Sequence, residues 1–190
     1  GLMVPHGSVR AAVLGMSDRD PSPADQARMN TLVREGMRAG AFGLSSGLYY
    51  APGSYSKTAE VIAMAKEVAP FRGSYSSHIR DEADYGVGVV AAVDEVIAIA
   101  EQGGVTGVVT HMKALGPASW GLSKTLVAHI EAARARGVPV FADQYPYEAS
   151  GTGIVGALVP RWAQVGGREV LTRRITGELL QRCRAGDEAA

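Results

Sequence analysis

Short apolar runs alternate with segments of helical period along most of the chain. That alternation restricts the fold more than any compositional number. Ala41–Leu48, Gly73–His78, Gly104–His111 and Val138–Ala142 have strand length. Between them, Val61, Ala65 and Val68 share one face of a helix expected near Lys57–Ala69. Val90, Val93, Ile97 and Ala100 do so over Val87–Gln102, and Leu122, Leu126, Ile130 and Ala133 over Leu122–Arg136. Gly103-Gly104 and Gly137 stand where helix C-termini want a left-handed residue. Near-continuous apolar strands joined through helices predict a parallel sheet covered by those helices, an α/β fold.

The ends of the chain fit the same rhythm. Gly1–Val4 is a short apolar piece stopped by Pro5, the end of a strand. Val9–Leu14 is a second apolar run leading into a polar loop. Ser22, Pro23 and Asp25 have capping-box spacing, and Met29, Leu32, Val33 and Met37 form the apolar face that follows, with Gly40 as its stop. Asp143–Gly153 reads as a loop. A last helix is expected near Arg168–Arg184, with Leu171, Ile175 and Leu179 at i+4 spacing.

The 190 residues suffice for one domain with a sizeable core, and 46% are hydrophobic. Nineteen Lys+Arg balance nineteen Asp+Glu, which implies neither a nucleic-acid nor an acidic-membrane partner. A single cysteine makes no internal disulfide, so a cytoplasmic setting is the expectation. No apolar run has the length of a membrane span. The chain begins at Gly1 without an initiator methionine and reads as an internal fragment of something longer.

Units of about 30 residues fit a doubly wound sheet or a (β/α)8 TIM-type barrel. No G-x-G-x-x-G opens a helix, so a dinucleotide fold has no support. His78, Lys113 and Tyr145 fall at or just past strand ends, where barrels build their sites. The expectation is therefore a partial barrel with helices outside its parallel strands.

The chemistry concentrates in two strings, GSYSSHIRDE ending in Glu82 and GVTGVVTHMK ending in Lys113. On a strand Ser74, Ser76 and His78 share one face. His78 and His111 close strands of neighbouring units, and two neutral imidazoles so placed can bind one Zn²⁺. Each can equally be a hydrogen-bonded core residue. Lys113 lies two residues beyond His111 and can hold a carboxylate, or be a surface lysine. Tyr145 can donate to a developing oxyanion, or pack as an amphipathic ring. Asp81, Glu82 and Asp84 precede a helix and read as caps. His129 reads as structural, His6 stays open, and Cys183 is no candidate ligand.

The strings GAFGLSSGLYYAPGSYS, SSHIRDE, VVTHMKALG and ADQYPYEASGT, in that order, resemble the D-aminoacylase (N-acyl-D-amino-acid deacylase) branch of the amidohydrolase superfamily. The likeness runs from PHGSVR into the helix after GGRE. It implies a zinc-dependent barrel that hydrolyses the amide of N-acyl-D-amino acids. His78 matches the metal ligand after the fifth barrel strand and His111 the one after the sixth. Lys113 and Tyr145 match substrate contacts, and Ser150 and Arg80, the latter in the family's H-x-R-D-E string, are placed with them as substrate-binding residues.

Three family features are missing: an H-x-H pair on the first strand, a cysteine ligand, and a catalytic aspartate after the eighth strand. The chain thus corresponds to roughly strands three to seven, a single fragment of a barrel domain, with its general base elsewhere and no activity of its own. Ala41–Leu48 carries no lysine, which argues against a carboxylated-lysine bridge. The alternatives are a cyclic-amide hydrolase, a Schiff-base barrel enzyme using Lys113, and a non-catalytic remnant.

Overall fold

The computed structural model describes residues 1–184, apart from the side chains at 178, 179, 182 and 183. The expected packing of Leu179 and the reading of Cys183 fall outside the described residues. Five strands form one sheet, β1 (Val4–Pro5), β2 (Gly43–Gly47), β3 (Ser74–His78), β4 (Thr106–Val109) and β5 (Val140–Ala142). Their order across the sheet is their order in the chain, and every pair is parallel. Crossovers between parallel strands are right-handed as a rule, and an unbroken succession of them lays the connecting helices on one face.

Burial follows that arrangement. Leu44, Tyr75, Gly107 and Val140 stand side by side across β2–β5. Leu44, Tyr75 and Val140 have no exposed surface, and Val109 has none two residues further along β4. Their neighbours Ser45 and Ser76, on the opposite face, are half-buried, and Phe141 is exposed. The strands are therefore less continuously apolar than their sequence suggests: one face packs under helices and the other is largely hydroxylic.

The covering helices are α1 (His6–Leu14), α2 (Pro23–Arg38), α3 (Thr58–Ala65), α4 (Val89–Gly103) and α5 (Ser123–Ala135). Val61, Met64, Val93, Val96 and Ile99 from α3 and α4 are completely buried, each worth about 1.5–3 kcal/mol of transfer free energy. Gly107 lets α4 seat this closely, since a Cβ there would lie 2.8 Å from that of Ala100. The Ser22 capping box forms as expected, with the hydroxyl accepting from Asp25 N and the carboxylate from Ser22 N.

The Val9–Leu14 run is not an isolated apolar piece but the second half of α1, which starts directly after Pro5. Its buried residues are His6, Val9, Arg10 and Leu14, so two of the four inward positions are polar and hide the helical period. Both polar side chains meet Glu60 of α3. His6 Nε2 lies 2.9 Å from Glu60 Oε1, and Arg10 Nη1 pairs with Oε2. Arg10 Nη2 also donates to Arg19 O at 2.7 Å. His6 therefore belongs to a buried ionic cluster joining α1 to α3.

The last helix begins as expected, as α6 is a short turn of Ile154–Leu158 and α7 spans Arg168–Arg174. It continues through a π-helical stretch, Ile175–Leu179, into α8 (Leu180–Arg184). No helix among the described residues is long and apolar enough to cross a membrane.

Candidate metal and substrate site

His78 is the last residue of β3, and β4 beside it ends at Val109. Ser77 pairs with Val109 in register, so the two chains leave the sheet side by side. The backbone of Thr110 still donates to Ser77 O at 3.0 Å. His111 then turns with φ +43, in the left-handed region. That region is uncommon for a residue with a Cβ. The turn is held from β5: His111 N donates to Asp143 Oδ1 at 2.5 Å and Met112 N to Asp143 O at 2.8 Å.

The consequence is convergence of the two imidazoles. His78 Nδ1 and His111 Nε2 are 2.9 Å apart, and the ring centroids 4.6 Å. The tyrosines that follow β2 wall the site, with the Tyr50 ring 4.9 Å and the Tyr49 ring 5.9 Å from that of His78. Burial, with the positive charges of His111, Lys113 and Arg161 adding to it against the opposing charge of Glu82, pushes the His78 imidazole down to about 4. It is neutral at pH 7 and keeps a lone pair for a ligand.

Lys113 also reaches this point, though not by strand alternation, because β4 has already ended. Its Nζ lies 3.0 Å from His111 Nδ1 and pairs with Glu82 Oε1. The same Nζ stands 5.3 Å from the centre of the Tyr145 ring, whose centroid is 6.2 Å from that of His111. Tyr145 and Ser150 border the cavity in front of the histidines, a space of about 440 Å³ that Tyr49, Tyr50, Glu82 and Thr152 also line.

Arg80 is not brought there. Strand alternation would put it on His78's face, but the strand stops at His78. The guanidinium forms a two-pronged pair with Glu95 of α4, 2.8 Å on each arm, and donates to Ser54 O. Asp81 does not cap α4, whose N-cap residue is Gly88; it ties down the loop before that helix, accepting from the backbones of Ala83, Gly86 and Gly88.

Glu82 does not behave as a cap. Its side chain enters the site, with Oε1 3.0 Å from His111 Nδ1 as well as against Lys113. Among the described residues, His78, Glu82 and His111 form the group whose ligand-type atoms lie within 4.8 Å of one another. Its only signal in the sequence is its place four residues past a strand-end histidine.

The donor set suits a divalent metal. Two nitrogens bound tetrahedrally at about 2.0–2.1 Å stand about 3.4 Å apart, so the 2.9 Å pair needs to part only slightly. Glu82 Oε1 and Lys113 Nζ both stand 3.0 Å from the far nitrogen of His111 and leave Nε2 as the one that faces His78.

No family model matches the chain. An N-acyl-D-glutamate deacylase of Alcaligenes xylosoxydans xylosoxydans is 39% identical over 150 residues, and a D-aminoacylase of the same organism 36% identical. Each alignment covers 79% of this chain and 30% of the relative. A solved N-acyl-D-glutamate deacylase from Bordetella bronchiseptica, complexed with zinc and a phosphonate inhibitor, superimposes with a TM-score of 0.71 at 41% identity. Over the residues aligned, the chain is similar to the D-aminoacylase branch of the amidohydrolases. A D-aminoacylase crystal structure agrees, with a TM-score of 0.69 at 33% identity over 75% of this chain. The chain spans about 30% of the length of the curated members of the branch that it matches.

Proposed function

We propose that the protein carrying this chain hydrolyses the amide bond of N-acyl-D-amino acids. In this reading the five parallel strands are a consecutive arc of a (β/α)8 barrel, the 190 residues are one piece of that domain, and His78 and His111 hold a zinc ion at its C-terminal rim. The observation that carries it is the approach of His78 Nδ1 to His111 Nε2, 2.9 Å, at the ends of neighbouring strands. The names of the relatives supply the substrate class.

Bound there, zinc supplies an activated water and polarises a carbonyl. The chain's own residues position what reacts. Neutral His78 offers Nδ1, and His111 offers Nε2, the nitrogen that faces it. Lys113, held against Glu82 and beneath the Tyr145 ring, presents its remaining N–H groups to a substrate carboxylate. The Tyr145 hydroxyl donates to oxygen as charge develops there, and Ser150 contributes a hydroxyl at the cavity border. The proton shuttle and the remaining metal ligands are not assigned to residues of this chain.

A Schiff-base lysine is activated by desolvation or a neighbouring cation, whereas Glu82 beside Lys113 Nζ favours its charged, non-nucleophilic form. The carboxylated-lysine alternative needs a lysine on β2, which reads GLSSG.

The test is zinc content together with steady-state hydrolysis of N-acetyl-D- and N-acetyl-L-amino acids by the protein carrying this sequence. Expected are bound zinc, turnover of the D series only, and loss of both zinc and turnover in His78→Ala. Full zinc occupancy with undiminished turnover in His78→Ala would overturn the reading.

A further inference from the structure

We infer that Arg80 is a positioning residue that fixes the tyrosine wall, Tyr49 and Tyr50, against the histidine pair. Its consequence for substrate capture rests on the function proposed above. The placement of the wall does not.

The loop after β2 is tied to the exit of β3 on both sides of the two tyrosines. Before them, Leu48 N donates to His78 O at 3.1 Å. After them, Arg80 Nη1 donates to Ser54 O at 3.3 Å. Inside the loop, Tyr50 N donates to Gly47 O at 3.1 Å and Ser54 N to Tyr50 O at 2.8 Å. A shift of Ser54 is thereby passed to Tyr50, whose ring lies 4.9 Å from that of His78. The first tie extends the main-chain pairing of β2 with β3, in which Gly47 stands opposite His78. The second depends on one side chain.

That side chain is itself held. Arg80 Nε and Nη2 donate to the two carboxylate oxygens of Glu95, each at 2.8 Å. Thr58, the first residue of α3, donates from Oγ1 to Glu95 Oε1 at 2.8 Å. The Arg80 and Glu95 side chains are only 19% and 8% exposed, so neither swings freely. With two nitrogens committed to one carboxylate, the plane of the guanidinium is set and the third nitrogen is aimed at Ser54. A lysine there would supply the charge without this geometry. Arg80 borders not the cavity in front of the histidines but the neighbouring one, which shares Tyr49 with it. It therefore acts on substrate through the tyrosines and not by contact.

The experiment compares Arg80→Lys with Tyr50→Leu in the protein carrying this sequence. ¹H–¹³C NMR of chelator-treated, histidine-labelled protein at pH about 8, where unperturbed imidazoles are neutral, reads the ring protons of His78. These are assigned by their loss in His78→Gln. The ring current of Tyr50 displaces them, and Tyr50→Leu gives their position without it. Expected for Arg80→Lys is a displacement toward the Tyr50→Leu position. In zinc-loaded protein, Arg80→Lys should keep its metal and its kcat, while KM for N-acetyl-D-amino acids rises about 3–10-fold, the loss of one hydrogen bond. Glu95→Gln, which leaves an acceptor for one arm of the fork, should move both readouts the same way and less far, and it carries the test if Arg80→Lys does not fold. Native His78 resonances no different from those of Tyr50→Leu would overturn the inference without any Arg80 variant. So would a lowered urea midpoint with His78 resonances and KM unmoved, which is a purely structural role. Zinc loss in Arg80→Lys would also overturn it, by placing Arg80 behind the metal ligands and not behind the wall. A protein that cleaves no N-acyl-D-amino acid would end the functional reading and leave the NMR result standing.

Discussion

The backbone N–H of His111 donates to the carboxylate of Asp143, 2.5 Å away on the neighbouring strand end. That bond crosses from β5 to the turn after β4 and closes on a residue with φ +43. A β-carbon in that conformation is disfavoured by about 1–3 kcal/mol, so the turn persists because its surroundings hold it. Asp143 holds it twice, by side chain to His111 and by main chain to Met112.

Asp143→Ala should therefore loosen the histidine pair more than it loosens the fold. Asp143 is exposed, so the stability cost should be about 1 kcal/mol, that of an ordinary hydrogen bond. Zinc affinity, which needs His111 Nε2 at a fixed place, should fall about tenfold or more. Paired urea unfolding and zinc titration separate the two effects. An affinity loss no greater than the stability loss would mean that Asp143 does not position His111.

The buried cluster of His6, Arg10 and Glu60 gives a pH-dependent prediction. Burial alone would raise the Glu60 carboxyl, but the hydrogen bond and charge of His6, together with Arg10, outweigh it and hold it below its ordinary 4.5. A depressed folded value means that the unfolded chain binds the proton more readily. The cluster's contribution is thus complete above about 4.5 and is lost as pH falls through the lower folded value. Glu60→Ala leaves Arg10 buried without its counter-charge and should cost about 3–5 kcal/mol at pH 7. Urea midpoints from pH 7 down to 3 should fall in native protein below about 4.5. The same slope in Glu60→Ala would show that another carboxylate is responsible.

The helical and strand periods made the sheet, its parallel sense and the covering helices legible, because those elements follow from patterns the chain repeats. The histidine pair was legible because His78 closes β3 and His111 follows β4 by two residues, so both fall where neighbouring strands run out. What stayed hidden depended on where side chains go once regular structure ends. Arg80, Asp81 and Glu82 are consecutive and polar, yet Arg80 turns out to Glu95, Asp81 ties down a loop, and only Glu82 enters the site. No period applies across those residues, so nothing local distinguishes them. The first half of α1 was hidden for another reason: His6 and Arg10 occupy inward positions, and only Glu60, about fifty residues later, makes them fit a core.

The wall opposite Lys113 is closed by the segment after β5 folding back on the loop after β2. Tyr50 and Thr152 hydroxyls are 2.7 Å apart, Tyr55 OH donates to Arg161 O, and the Arg161 guanidinium lies 4.1 Å from the centre of the Tyr49 ring. Thr152→Val removes the first of these without changing side-chain size. A bond between exposed hydroxyls is worth about 1 kcal/mol or less, so the urea midpoint should scarcely move. Protease cleavage within residues 143–153 should rise, by up to about fivefold. An unchanged cleavage rate would show that the contact does not hold the segment down.

The last prediction separates metal binding from substrate capture within one short segment. His111 and Lys113 are two residues apart and share Glu82, so loss of activity alone assigns neither. His111→Ala removes a proposed ligand and should lower zinc content and turnover together. Lys113→Met keeps the length and apolar stem of the side chain but removes the cation. Zinc should stay, and KM for N-acetyl-D-amino acids should rise about 10–100-fold, the loss of one charge-assisted hydrogen bond. Because the substitution strands Glu82 beside the cavity, Lys113→Met is best paired with Lys113→Met/Glu82→Gln, which removes both charges. The decisive comparison uses an N-acetyl-D-amino acid amide, which lacks the carboxylate. If Lys113 receives that carboxylate, native and double-variant proteins should differ much less on the amide than on the acid. An equal loss on both substrates would place Lys113 with the chemistry or the metal rather than with substrate capture.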